Sequence, residues 1–397
     1  MQRVFKTRLY PNNKQLSFLN ACANNSRAAY NKSLEIWNEQ YEAGERPSGY
    51  SVKAELNAWK RTDEGSFLLQ TPKSICDSAT QDLERGFKQF FRGNGGHPRF
   101  HKKGHCRHSF RIDGGRVEVC GNRISLPNVK ENKQPKRILS LKMGETFRYE
   151  GICTKIYNMT ISQKAGMWFV SVCCEIPDSS KNQAGIVGID MGMKELATLS
   201  DGQVVENPRV YKRRERRMNH LQRELARKKK GSKNREKARA RLAKFQHKTA
   251  CMRGDYIHKA TSEIAGRYGT VVVEDLNISG MVKNHNLAKS IHDASMSEFV
   301  RQLSYKANVV KIDRWFPSSQ LCSCCGHRKK MPLSVRTYEC PECGLVLDRD
   351  LNAAINILYL GAASPEVMPV EGVEVPDWVF DWVAERPAKQ ESTGKPA

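Results

Sequence analysis

The sequence predicts a multidomain α+β protein. A helical block and a small β-barrel or sandwich make up the N-terminal half, and an α/β domain carrying a metal ribbon makes up the C-terminal half. Three observations lead there. Apolar residues recur at three- and four-residue steps through 16–41 and again through 75–90. From Arg99 to Pro177 the pattern changes to short alternating runs separated by turn residues. Beyond residue 183, buried strands alternate with helices, and two Cys-x-x-Cys pairs interrupt them.

In chain order, 4–9 reads as a short strand that stops before Pro11. Leu16, Leu19, Ala23, Tyr30, Leu34, Trp37 and Tyr41 give one helical stripe; a second helix follows Ser51, and a third begins near Pro72 with Ile75, Ala79, Leu83, Phe87 and Phe90. These aromatic residues serve either as core or as base-stacking platforms, and core is the commoner use. Strands are expected at 116–119, 123–126, 154–162 and 168–175. A linker follows at 178–182. Then come a buried strand ending in Asp190, a hairpin over 196–205 turning at Asp201-Gly202, and basic helices over 210–248 broken near Gly231-Ser232. Two more strands are read at 270–276, with Glu274 near its end, and at 308–315. Asp348-Arg349-Asp350 opens an apolar helix over 351–360.

The chain has 397 residues, 39% of them hydrophobic, enough for two or three cores. Its formal charge is +24, which points to a polyanionic partner. The charge is uneven: residues 361–397 carry −4, which leaves +28 on the remainder, and 211–260 alone carries +15. The acidic tail reads as a solvated appendage. No apolar run approaches the roughly 20 residues of a membrane span, and no apolar signal region opens the chain. The expectation is a cytoplasmic, nucleoid-associated protein with no membrane contact. Thirteen cysteines are an odd number, and five of them fall between Cys322 and Cys343, which favours a metal site over disulfides.

Three constellations carry chemistry. Asp190 and Glu274 stand at or near the ends of buried strands, and Asp350 stands at the start of the last helix. Each alone could be a turn or capping residue. Together, in the order strand, hairpin, helix, strand, helix, they match the RNase H-like layout of RuvC nucleases. Facing carboxylates of this kind suit a pair of magnesium (or manganese) ions, which take oxygen ligands and can act on a phosphodiester. The second constellation is Cys322-x-x-Cys325 followed, after fourteen residues, by Cys340-x-x-Cys343. Gly326 and Gly344 follow the second cysteine of each pair, as a zinc knuckle requires, and a closed four-cysteine site is structural. Cys324 is the extra thiol, and His327 is an alternative ligand that four cysteines leave unnecessary. The third is the basic helical segment 212–248, including Arg213, Arg217, Lys228, Lys229 and Lys230, suited to phosphate backbones and expected to overhang the cleft. Arg99, Lys102 and Lys103 flank Phe100 and either grip nucleic acid or lie on a solvated loop.

With these residues in hand, the chain resembles the TnpB family, transposon-encoded relatives of type V CRISPR effectors. The resemblance rests on Gly188-Ile189-Asp190-Met191-Gly192, Val273-Glu274-Asp275-Leu276-Asn277, Ser318-Ser319-Gln320-Leu321-Cys322, Cys340-Pro341-Glu342-Cys343-Gly344 and Asp348-Arg349-Asp350-Leu351-Asn352. It implies a wedge-like β-barrel (1–11 and 96–182) interrupted by a helical recognition lobe (12–95). It further implies a RuvC domain (183–316 and 345–360, with the basic insertion 210–260) holding a zinc ribbon (317–344), and a disordered acidic tail (361–397). It implies an RNA-guided DNA endonuclease with Asp190, Glu274 and Asp350 as catalytic metal ligands. Arg349 would neutralise charge near the scissile phosphate. The partners would be a guide RNA from the transposon end and a double-stranded DNA target beside a short flanking motif, with one RNA on a monomeric protein. The rival readings are an RNA-guided repressor that does not cut and an accessory transposase.

Overall fold

A computed structural model describes residues 1–127, 130–131, 134–135, 139–177, 185–332, 334–364 and 373–384. The chain divides into two units, 1–179 and 180–397. The linker expected at 178–182 lies outside the described residues.

In the first unit, strand β1 (Gln2–Leu9) alternates exposed and buried side chains and gives way to helix α1 (Asn13–Glu42). Asn12 starts that helix by accepting the Gln15 amide, while the Gln15 side chain accepts the Asn12 N–H, both at 2.9 Å. Ser48 caps α2 (Gly49–Trp59), three residues earlier than the sequence suggested, and Pro72 precedes α3 (Lys73–Phe91). The three helices share a core in which Trp37 stacks on Phe87 at 4.3 Å among Leu34, Leu56 and Leu83. Those two rings are therefore core, whereas Phe91 and Phe100 are exposed.

The remaining strands of this unit are β2 (Ser109–Asp113), β3 (Glu118–Cys120), β4 (Arg123–Leu126), β5 (Lys130–Glu131), β6 (Gln134–Pro135), β7 (Leu139–Lys142), β8 (Lys155–Lys164) and β9 (Met167–Glu175). They form antiparallel sheets in the orders β1-β9-β8-β2 and β3-β4-β7, with a two-residue β5–β6 ladder. A bridge between Leu9 and Met143 ties the two larger sheets. Phe5, Phe110, Ile124, Leu141, Ile161 and Trp168 fill one core between them.

The second unit is built on a five-stranded sheet. Its strands are β10 (Ile186–Asp190), β11 (Glu195–Leu199), β12 (Val204–Glu206), β13 (Thr270–Glu274) and β14 (Asn308–Ile312), in the order β12-β11-β10-β13-β14. The first three form an antiparallel meander, and β10, β13 and β14 run parallel. Parallel pairing needs a long crossover, and helices α4 (Val210–Ala226) and α5 (Lys233–Arg267) supply it. Met218, Leu221 and Leu242 are the thin seam between these two helices. Helix α5 runs well past the expected end at 248, because Ile257 and Ile264 continue an apolar face against Phe299 and Leu303. Short α6 (Ile278–Met281), α7 (His285–Ala294) and α8 (Met296–Lys306) lead to β14. A small hairpin, β15 (Thr337–Glu339) and β16 (Val346–Asp348), precedes α9 (Arg349–Ala362).

The tail departs from expectation. Residues 377–384 form α10 (Asp377–Ala384), in which Val379 is 1% exposed beside Phe316, Leu321 and Leu360. Trp378 covers Gly326, where an added Cβ would fall 2.6 Å from the indole ring. Net negative charge hid a short apolar segment that has a partner to pack on.

Helix α9 lies directly on the sheet. A Cβ added at Gly188 would stand 2.2 Å from the Ala354 carbonyl oxygen and 2.5 Å from the Leu358 nitrogen, and one at Gly361 would stand 2.4 Å from Val272. Gly188→Ala should therefore destabilise the protein by about 3 kcal/mol, the upper range for overpacking against backbone. Gly254→Ala, at an α5 position with open space around it, should stabilise it by about 0.5 kcal/mol. Urea denaturation of both variants checks this, and equal effects would show that α9 does not press on β10.

Candidate active site

Strand register assembles the first two acids. Ile189 pairs with Val273 in the parallel β10–β13 ladder, so the next residues, Asp190 and Glu274, stand side by side at the same sheet edge and on the same face. Helix α9, seated across Gly188, returns to that edge and presents Asp350 from its first turn. Burial, then the Glu274 and Asp350 charges, push the Asp190 carboxyl up to about 7, while Arg349 pulls the other way. Burial also raises Glu274, and the Ser318 hydroxyl opposes this by donating to Oε1 at 2.5 Å. Asp350 accepts from Arg336 Nη1 at 3.2 Å on Oδ2, and from Arg349 Nε at 3.3 Å and Nη2 at 3.2 Å on Oδ1.

The neighbouring acids have other work. Asp348 is the N-cap of α9, accepting the Asp350 and Leu351 amides at 2.9 and 3.1 Å. Asp275 turns outward to Lys311 and Arg314, whose hydrogen bonds hold its carboxyl below the usual carboxylate range. Arg349 also donates Nη1 to the carbonyls of Pro332 and Val335, at 3.3 and 3.1 Å. It ties Asp350 to the ribbon and is not held out toward a substrate.

Three carboxylates in one electrostatic field, one of them pushed up to about 7 by burial and then by its acidic neighbours, are a donor set suited to hard divalent cations. The four ribbon thiols fit zinc still more closely. The Sγ atoms of Cys322, Cys325, Cys340 and Cys343 all lie within 4.8 Å of one another. Four thiolates at about 2.3 Å from one ion would stand about 3.8 Å apart, and Cys322–Cys343 and Cys325–Cys340 are at 3.5 and 3.6 Å. Gly326 and Gly344, both at φ +74, make the knuckle turns by donating N–H to the Cys322 and Cys340 carbonyls. The Leu345 amide, then the other thiols, lower Cys343 to about 7, toward the thiolate that zinc needs. Cys324 is exposed and is not one of the four. His327 faces Glu342 instead, at 3.8 Å.

Two basic clefts flank the acids. One, of about 470 Å³, is lined by Lys194, Arg209, Lys212, Lys289 and Arg336. The other, of about 440 Å³, holds Glu274 beside Arg301, Lys311 and Arg314. Of the basic α4–α5 hairpin, only the base of α4 borders a cleft. Exposed Lys228, Lys229 and Lys230 lie about 25 Å further along the helix. Arg213, Arg217, Arg99, Lys102 and Lys103 are exposed and outside both clefts. The sequence reading gave Ser318 no role, although it quoted the Ser318-Ser319-Gln320-Leu321-Cys322 run, and it missed Arg209 and Arg336, which belong to no charge run.

A sheet with two acids at its parallel edge, a third on the returning helix and a four-thiol module inserted ahead of that helix define a transposase/RuvC-like domain with a zinc-ribbon-like insertion. Family models agree, with one described as "Probable transposase" matching residues 171–285 and one described as "Cas12f1-like, TNB domain" matching 297–357. A third, described as a helix-turn-helix domain, matches 1–46, a stretch that here folds as β1 and one unbroken helix. A Streptomyces pristinaespiralis protein named as a candidate RNA-guided DNA endonuclease is 35% identical over 92% of this chain and 90% of its own. The similarly named InsQ of Escherichia coli (strain K12) is 32% identical over 91% and 92%. In fold, the chain resembles a Cas12f1 from a complex with sgRNA and target DNA, with a TM-score of 0.55 at 13% identity, covering 93% of this chain and 99% of that one. The chain belongs to the TnpB family.

Replacing Cys325 with Ser should release zinc and destabilise the second unit, because ribbon metal binding is folding energy. Cys324→Ser should keep the full zinc content. Elemental analysis of both variants checks this, and zinc loss from Cys324→Ser would move the site by one thiol.

Proposed function

We propose that this chain is an RNA-guided DNA endonuclease whose hydrolytic site is Asp190, Glu274 and Asp350. The observation that carries the reading is the convergence of these three carboxylates at one sheet edge, in a chain that matches proteins of that name along nine-tenths of its length. The charge of +24 supports nucleic acid as partner. In this reading a guide RNA from the transposon end pairs with the target strand, and the protein reads a short flanking motif and the heteroduplex shape. Residues 12–95 act as the recognition lobe and the surrounding strands as the wedge. One protein carries one RNA, in the cytoplasm at the nucleoid.

The three acids would hold magnesium or manganese, which supplies an activated water and neutralises charge on the phosphate. The chain's own residues do the rest. Register fixes Asp190 against Glu274, and α9 delivers Asp350. Arg336 and Arg349 balance the Asp350 charge, a part that a bound cation would share. The basic clefts hold the phosphate backbone on either side of the acids. All three carboxylates are present, which favours cutting over repression.

Asp350→Asn keeps shape and loses charge, so guide and target binding should stay within about twofold while cleavage falls by about a thousandfold. Asp348→Asn should cut within about threefold of the parent, because Asn caps a helix as well as Asp. Cleavage rates at saturating magnesium, run beside a binding assay, separate the two. Near-normal cutting by Asp350→Asn would remove the hydrolytic reading of this helix.

A further inference from the structure

Ser318 opens the short segment that runs from the sheet into the first zinc knuckle, and its hydroxyl donates to Glu274 Oε1 at 2.5 Å. The residue is 6% exposed. Within its own turn the Ser318 amide donates to the Phe316 carbonyl at 2.9 Å, and a second hold comes from α9. Asn356 Nδ2 donates to the Ser318 carbonyl at 2.7 Å and to the Leu321 carbonyl at 2.8 Å. One turn earlier, Asn352 Nδ2 donates to the same Leu321 carbonyl at 2.6 Å, and its Oδ1 accepts the Ser323 amide at 3.0 Å.

Both asparagines are fully buried. A buried amide is costly unless it is bonded, and among the described residues Asn356 Oδ1 has no hydrogen-bond partner, so this pair is not simple core filling. Four hydrogen bonds from two side chains at i and i+4 instead fix the backbone of 318–323, which carries both Ser318 and Cys322.

We propose that Ser318 is a positioning residue for Glu274, locked by Asn352 and Asn356, so that the zinc knuckle and the carboxylate site form one connected unit. The proposal rests on the endonuclease reading of the three acids. Glu274 ends a strand and has a flexible side chain. One short bond to Oε1 fixes the plane of its carboxylate toward Asp190. Removing such a bond from a metal-holding carboxylate weakens the site without touching the ligand itself.

The test uses the full-length, zinc-loaded chain with manganese as the probe, its free concentration read by electron paramagnetic resonance. Ser318→Ala should keep its zinc and lose about tenfold in manganese affinity. Ser318→Thr, which retains the hydroxyl, should return to within about threefold of the parent. Ser318→Ala binding manganese like the parent would overturn the proposal, and so would equal weakness of the Ala and Thr variants, which would indicate lost packing. Glu274→Gln is the control. If it binds manganese like the parent, the reading of the acids as a cation site falls. If it loses manganese while Ser318→Ala does not, only the positioning role falls.

Discussion

Three carboxylates that repel one another are held together by a helix pressed onto a sheet, and the second unit is organised around that constraint. The helix approaches so closely that β10 has no room for a side chain at residue 188, and α9 none at 361. Glycine at both places lets α9 lie flat across β10 and β13. Its first turn then reaches the edge where Asp190 and Glu274 end their strands. The resulting charge is balanced locally: Ser318 bonds Glu274, Arg336 and Arg349 bond Asp350, and Asp190 is left to take up a proton near neutrality. A site that strains against its own charge is prepared for a cation.

The same helix holds the ribbon. Its outer polar turn gives Asp348 as cap, and its buried face gives Asn352 and Asn356 to the knuckle backbone. The ribbon in turn returns Arg336 to Asp350. Zinc held by the four thiols would therefore stiffen a loop that bears on the acids.

Much of this was legible in the sequence because it is carried by local signals. Apolar β-branched runs ending in an acid announced β10 and β13, and Gly after each Cys-x-x-Cys pair marked the knuckles. What the sequence concealed depends on tertiary partners. Ser318 looks like any turn serine until Asn356 aims it, and Arg349 looks available for phosphate until the carbonyls of Pro332 and Val335 claim it. The tail read as solvated because charge was counted over 361–397, whereas Val379, with Val373, Val375 and Trp378, packs on the second unit's core. Helix α5 outran its expected end because its later apolar face answers α8, which lies far along the chain.

The central claim is that the acids form one electrostatic unit awaiting a cation, and thermal stability of Asp190→Asn tests it most directly. Asp190 has an ordinary value of 3.8 and is raised to about 7 in the folded chain. The folded state therefore holds a proton that the unfolded state has released. Stability from this group is full below about pH 4 and is lost as pH rises through 7. In zinc-loaded, magnesium-free protein, Asp190→Asn should melt higher than the parent at pH 8, with the difference shrinking by pH 5. Magnesium should raise the parent's melting temperature at pH 8 and the variant's much less. A variant that melts lower than the parent at pH 8, and responds equally to magnesium, would contradict the account.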